Sequence, residues 1–166
     1  MKEAVCYVAR DFDAEMHAAH AAGNTHDASH ALGDGRVVTL RDERFRAAEP
    51  LFQPAFVGQE ALVGVHELLF HSIMKGDVDI RTDLVGNIVL AGGGTLFPGF
   101  AERLTREVSA LVSNNFEVKV IAPPDRKFSA WVGGSVLASL STFQQMWVTR
   151  KEYDESGPAV VHRKCF

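Results

Sequence analysis

The sequence is poor in cysteine. Cys6 and Cys165, near opposite ends, are the only two in 166 residues. A secreted disulfide framework would normally carry more, so a reducing, intracellular setting fits better. Basic charge is not in excess: Lys+Arg total 17 against Asp+Glu 21, for a formal net charge of −4. No basic block stands out, which argues against a nucleic-acid partner. Long apolar runs are missing too. None approaches the roughly 20 residues that span a bilayer, which argues against a membrane partner, and Met1-Lys2-Glu3-Ala4-Val5 lacks the apolar stretch of a signal peptide. What is present, 46% hydrophobic and 23% charged residues, suits a soluble globular chain with one domain or two small lobes sharing a core.

Along the chain, Phe12, Met16 and Ala19 recur at three- and four-residue spacing, which predicts a helix with one apolar stripe. Gly23-Asn24-Thr25 and Gly33-Asp34-Gly35 are turn chemistry, and Arg36–Leu40 reads as a strand. Residues 45–64 are apolar but broken by Pro50, Pro54, Gly58 and Gly64, which predicts short helical turns in an ordered loop. A helix is expected over Val65–Lys75 with Leu68, Leu69, Phe70 and Ile73 inward and Gly76 as its stop. The run Asn87–Ala91 reads as a fully buried strand. It ends in Gly92-Gly93-Gly94, and an amphipathic helix follows over Gly99–Val112, with Pro98 near its start. A second strand over Phe116–Ile121 and a helix over Ser129–Leu140 complete a strand–helix–strand–helix order, hence an α/β architecture. Gly133-Gly134 would allow that last helix to pack closely on a neighbour.

A strand, three glycines and a helix form a recipe for holding a nucleotide, because glycine lets the backbone and its amides approach a ligand. The segment lacks the Lys-Ser/Thr of a phosphate loop and the dinucleotide fingerprint spacing, so a plain tight turn stands beside that reading. His17, His20, His26 and His30 lie close together with Asp13, Glu15 and Asp27. A metal site is conceivable there, and a solvated surface segment is the default. No pattern frames a catalytic serine or cysteine, so no catalytic residue and no metal ligand is nominated. The acidic run Glu152–Glu155 reads as a solvated face.

The stretch from Arg126-Lys127-Phe128-Ser129-Ala130-Trp131 through Ser141-Thr142-Phe143-Gln144-Gln145-Met146-Trp147 closely resembles the C-terminal region of actins. So do Glu152-Tyr153-Asp154-Glu155-Ser156-Gly157-Pro158 and the ending His162-Arg163-Lys164-Cys165-Phe166. Glu43–Arg46, Leu51–Pro54, Ser72–Lys75, Asp77–Arg81 and Leu90–Gly99 are similar as well, so the resemblance runs the length of the chain. It implies the C-terminal lobe of an actin-like ATPase (ribonuclease H-like) α/β fold, incomplete relative to a whole actin. In that frame residues 1–40 are a remnant of subdomain 4, residues 41–127 subdomain 3, and residues 128–166 the return into subdomain 1. The family's phosphate loops and cation-holding residues belong to its N-terminal part. No Asp-Asn-Gly-Ser-Gly-like or Asp-Gly-Val-Thr-like segment occurs here, so hydrolysis by this chain alone is not expected.

The resemblance carries over the adenosine side of the cleft. Gly92 and Gly93 match the glycines that pack on the nucleotide, with Gly94 where the family has Thr. Leu96 and Phe97 stand beside the adenine, Lys127 near the base, and Lys2 and Glu3 at adenine and ribose. The implied cofactor is ATP or ADP, with Mg2+ or Ca2+ only in a complete actin. Leu137, Leu140, Thr142 and Met146 match the hydrophobic cleft where actin-binding proteins and the next subunit dock, in a helix-in-groove mode; the same residues could equally be core. The loop Phe56–Gly64 matches the filament plug with one extra residue, and Cys165 an exposed thiol. The expected setting is the cytoplasmic cytoskeleton, with actin subunits or self-association as partners. Two alternatives are a non-polymerising module that binds actin or its partners, and a sugar-kinase-like or chaperone-like ATPase, which would need phosphate loops.

Overall fold

The computed structural model describes residues 1–21, 27–113 and 115–164. The chain forms two compact units, Met1–Lys127 and Phe128–Phe166. The segment Gly23-Asn24-Thr25, expected as a turn, and Cys165 lie outside the described residues.

The first unit begins with α1 (Lys2–Val5) and α2 (Phe12–Ala21), followed by a hairpin of β1 (Ala28–Ala31) and β2 (Val37–Leu40). These strands pair antiparallel, Ala28 opposite Leu40, through the expected turn, where Gly35 takes φ +84°. Phe12, Met16 and Ala19 of α2 pack as the spacing predicts, around a cluster of Ala9, Phe12 and Phe45. Residues 43–57 form α3 (Glu43–Arg46) and 3₁₀ turns at Glu49–Leu51 and Pro54–Val57, as the proline spacing implied.

The main core sits under a strand–helix–strand unit. α4 (Val65–Lys75) and α5 (Arg81–Val85) precede β3 (Ile88–Val89); α6 (Phe100–Leu111) then leads to β4 (Val120–Ile121), which pairs parallel with β3. Ile88, Leu90, Phe100, Leu104 and Val108 are buried with Val8, Ala48 and Phe52. The two-residue strands are shorter than expected, and β3 is not buried on both faces. Ile88 and Leu90 point inward while Val89 is 62% exposed, because side chains alternate along a strand and this sheet is covered on one side. Leu68 also departs from expectation, at 56% exposure. α4 packs on α6, with Val65, Leu69 and Ile73 turned to the core at a four-residue period, and Leu68 falls on the flank.

A buried ion pair holds this unit together. Glu49 and Arg103 are 0% and 4% exposed. Arg103 donates from Nη2 to Glu49 Oε1 (2.9 Å), from Nη1 to Glu49 Oε2 (3.2 Å) and to the Ala9 carbonyl (2.9 Å), and from Nε to Glu107 Oε1 (2.6 Å). Its carbon lies 4.9 Å from the Phe52 ring centre, and Gln53 donates to Glu49. Burial pulls the guanidinium pKa down, but Glu49 and Glu107 outweigh it, so Arg103 titrates above its ordinary range.

In the second unit α7 (Ser129–Ser139) leads through a 3₁₀ turn, Ser141–Met146, to α8 (Arg150–Ser156), another turn at Gly157–Val160, and α9 (Val161–Lys164). Thr149 and Glu152 form a reciprocal capping box at the start of α8. Lys164 donates to the Trp147 carbonyl (2.6 Å) and pairs with Glu152 (2.7 Å). So Glu152 is a structural anchor within an otherwise solvated acidic run. α7 buries none of its residues, and beyond the helix's own backbone and chain neighbours nothing lies within 4 Å of a Cβ built on Gly133 or Gly134. No helix among the described residues is long and apolar enough to cross a membrane.

Two outcomes follow. Glu49→Ala lowers stability in urea unfolding by about 3–5 kcal/mol, because it strands the Arg103 charge, whereas Glu49→Leu combined with Arg103→Met is more stable than either single change. The Lys164 ammonium and the Thr149 backbone and hydroxyl hold Glu152 down at about 2 from 4.5. A depressed carboxylate stabilises above its unfolded pKa, so the α8–Lys164 contact persists above pH 4.5 and is lost as pH falls through about 2. A carboxyl NMR titration checks this, and Lys164→Met moves the midpoint back toward 4.5.

Candidate functional site

The glycine segment leaves β3 through Gly92, whose φ of +87° is open to glycine and strained for a side chain. Gly93–Leu96 then form a 3₁₀ turn. Thr95 closes it, donating its N–H (3.2 Å) and its hydroxyl (2.9 Å) to the Gly92 carbonyl. Opposite stands the 123–127 segment. Gly92 donates its N–H to the Arg126 carbonyl (2.8 Å), and Arg126 donates from Nε to Thr95 Oγ1 (3.1 Å) and from Nη2 to the Thr95 carbonyl (2.9 Å). The next residue, Lys127, brings its Cγ to 3.8 Å from where a Cβ on Gly93 would sit.

Lys2, Glu3, Gly93, Gly94, Leu96, Phe97 and Pro98 line one cavity of about 410 Å³. That volume falls in the roughly 300–1,000 Å³ range of small-molecule sites. Lys2 Nζ lies 5.7 Å from the centre of the Phe97 ring, within cation–π reach. α1 is brought to the glycines by the strand-like stretch after it: Val8 donates to the Pro98 carbonyl (2.8 Å), Tyr7 to that of Arg44 (3.1 Å), and Arg44 Nε to that of Val5 (2.9 Å). Phe97 packs partly against the main core, which fixes its ring at the cavity wall.

Six of the eight residues nominated for the adenosine side therefore share one cavity: Lys2, Glu3, Gly93, Gly94, Leu96 and Phe97. Gly92 and Lys127 adjoin it through the turn. Thr95 and Arg126 carry no local signal in the sequence, because their roles depend on each other across 31 positions. The same holds for Gly99, whose φ is +83° and where a Cβ would run into the Val8 carbonyl oxygen.

The nominated docking residues lie in the second unit. Leu137 at the end of α7, Leu140 just after it, and Thr142 and Met146 in the following turn are all exposed. Nearby, Phe143 and Trp147 meet edge to face at 5.8 Å. Of the histidines, His17 and His20 are exposed on α2, His30 is half-buried in β1, and His26 lies outside the described residues. Among the described residues no cluster of three or more His, Cys, Asp or Glu is placed to hold a metal. Cys6 is buried.

Gly99→Ala should lower the urea midpoint by the equivalent of at least about 2 kcal/mol, since it combines a left-handed backbone with a clash against Val8. Gly94→Ala, with open space around its Cβ position, should stay within about 1 kcal/mol of the parent.

The cavity and turn thus stand on the residues that the resemblance singles out. Comparison with known families agrees over the whole length. A family model described as Actin matches residues 1–166. The chain belongs to the actin family.

Proposed function

We propose that this chain supplies the adenosine-facing wall of the ATP or ADP site of an actin-like cytoskeletal subunit, whose parent activity is nucleotide-dependent filament assembly in the cytoplasm. The observation that carries this reading is the single cavity of about 410 Å³ lined by Lys2, Glu3, Gly93, Gly94, Leu96 and Phe97. Each residue type suits one part of a nucleoside. Phe97 and Leu96 offer apolar surface to a base. The glycines leave no side chain between the backbone and the ligand. Glu3 can accept from ribose hydroxyls, while Lys2 and Lys127 can donate to ring nitrogens. Phosphates, and any Mg2+ or Ca2+ on them, would lie beyond these residues, so the proposal assigns binding and not hydrolysis to this chain.

A second reading, a docking module for actin or its binding proteins, draws on a different observation. Leu137, Leu140, Thr142 and Met146 are all exposed, from the last turn of an apolar helix through the 3₁₀ turn that follows it, the kind of surface an amphipathic helix or a neighbouring subunit covers.

Calorimetric titration of the full chain with ATP and with adenosine tests the first reading. Saturable binding of both is expected, and Phe97→Ala should weaken both about tenfold or more, the scale of a lost base–aromatic stack. No saturation by either ligand would rule the reading out. Co-sedimentation with actin filaments tests the second: Leu140→Asp and Met146→Asp should each abolish it, and equal pelleting of these variants and the parent would refute it.

A further inference from the structure

Three successive glycines lose more conformational freedom on ordering than any other triplet would, so a fixed Gly92-Gly93-Gly94 turn needs something to hold it. Packing does not provide it. A Cβ built on Gly92 or Gly94 meets nothing within 4 Å, and one on Gly93 meets only the Lys127 stem. The hold comes from hydrogen bonds, and they converge on one residue. The Arg126 carbonyl accepts the Gly92 N–H at 2.8 Å, before the glycine pair. The Nε and Nη2 edge of its guanidinium grips Thr95 through both Oγ1 (3.1 Å) and the carbonyl (2.9 Å), after the pair. Thr95 Oγ1 passes the constraint back by donating to the Gly92 carbonyl at 2.9 Å. The third nitrogen, Nη1, donates to the Pro123 carbonyl at 2.9 Å, which ties the guanidinium to its own loop.

We infer that Arg126 is the positioning residue of the proposed nucleoside site: it clamps the glycine turn at both ends and, through its own backbone, sets Lys127 against Gly93. The inference rests on the adenosine reading of the cavity. The planar fork presents two parallel donors to two acceptors of one residue, and a lysine offers a single point charge in its place. Charge-assisted bonds in a half-buried setting outweigh neutral ones, which lets one side chain order a segment that has no side chains of its own.

The test combines Arg126→Ala, Arg126→Lys, Thr95→Val and the Arg126→Ala/Thr95→Val double variant. Two readouts are taken on the full chain: amide exchange at Gly93 and Gly94, and calorimetric titration with adenosine and with ATP. Arg126→Ala should speed exchange at both glycines and weaken adenosine and ATP alike, each by about tenfold, the scale of one charged hydrogen bond. Arg126→Lys should not restore either. Thr95→Val should give a smaller loss, and the double variant should lose clearly less than the sum of the two single losses, because the Arg126–Thr95 bonds are shared. Unchanged exchange and affinity in Arg126→Ala would overturn the inference. So would full rescue by lysine, or additive losses in the double variant. If the parent chain binds neither adenosine nor ATP, the nucleotide reading fails, and glycine exchange alone still decides whether Arg126 holds the turn.

Discussion

The Arg103 guanidinium, buried beside Glu49, constrains the first unit. Its donors reach both oxygens of Glu49, one oxygen of Glu107 and the carbonyl of Ala9, so a single planar group joins α6, the 3₁₀ turn at Glu49 and the stretch before α2. A charge removed from water is tolerable only where its hydrogen bonds are matched, and here three segments supply the acceptors to one guanidinium. The same arrangement lays Val8 against Pro98 and Gly99, which brings α1 to the cavity. The Arg103 bond to the Ala9 carbonyl thus adjoins the Val8–Pro98 bond, and the ion pair and the α1 side of the cavity share one stretch of chain.

The glycine turn works on the opposite principle. Where α6 is ordered by side chains in contact, residues 92–94 are ordered by backbone groups and by Arg126. This suits a binding wall, since the surface facing the cavity stays free of side chains while the rigidity comes from behind. Phe97 joins the two regimes, with one side against the core and the ring near Lys2. In the second unit the balance differs. α7 is apolar almost throughout, yet Trp131 is 74% exposed and none of the helix is buried. A helix of that composition normally lies in an interior, which is why the docking reading attaches to it.

Local features were legible in the sequence. Val65–Lys75 is a helix with the expected bounds, because its apolar period and Gly76 stop both act within a few residues. The stripe of Phe12, Met16 and Ala19, and the turn at Gly92–Gly94, follow from equally short-range chemistry. What could not be read depends on distant partners. Nothing near Arg103 marks it as buried, since the matching carboxylate is 54 positions away. Arg126 and Thr95 carry no meaning until the fold brings them together. Leu68 and Val89 read as inward because composition says apolar, whereas exposure is decided by which side a neighbour covers. The strand expected over Phe116–Ile121 contracts to Val120–Ile121 because its partner β3 is itself two residues long.

The central claim is that a nucleoside occupies the cavity between α1 and the glycine turn. The most direct measurement is an amide NMR titration of the full chain with adenosine, which carries no phosphate to bind elsewhere. Saturable shifts concentrated at Lys2, Glu3, Gly92–Phe97 and Lys127 are expected. Shifts that do not saturate, or that fall away from these residues, would contradict it.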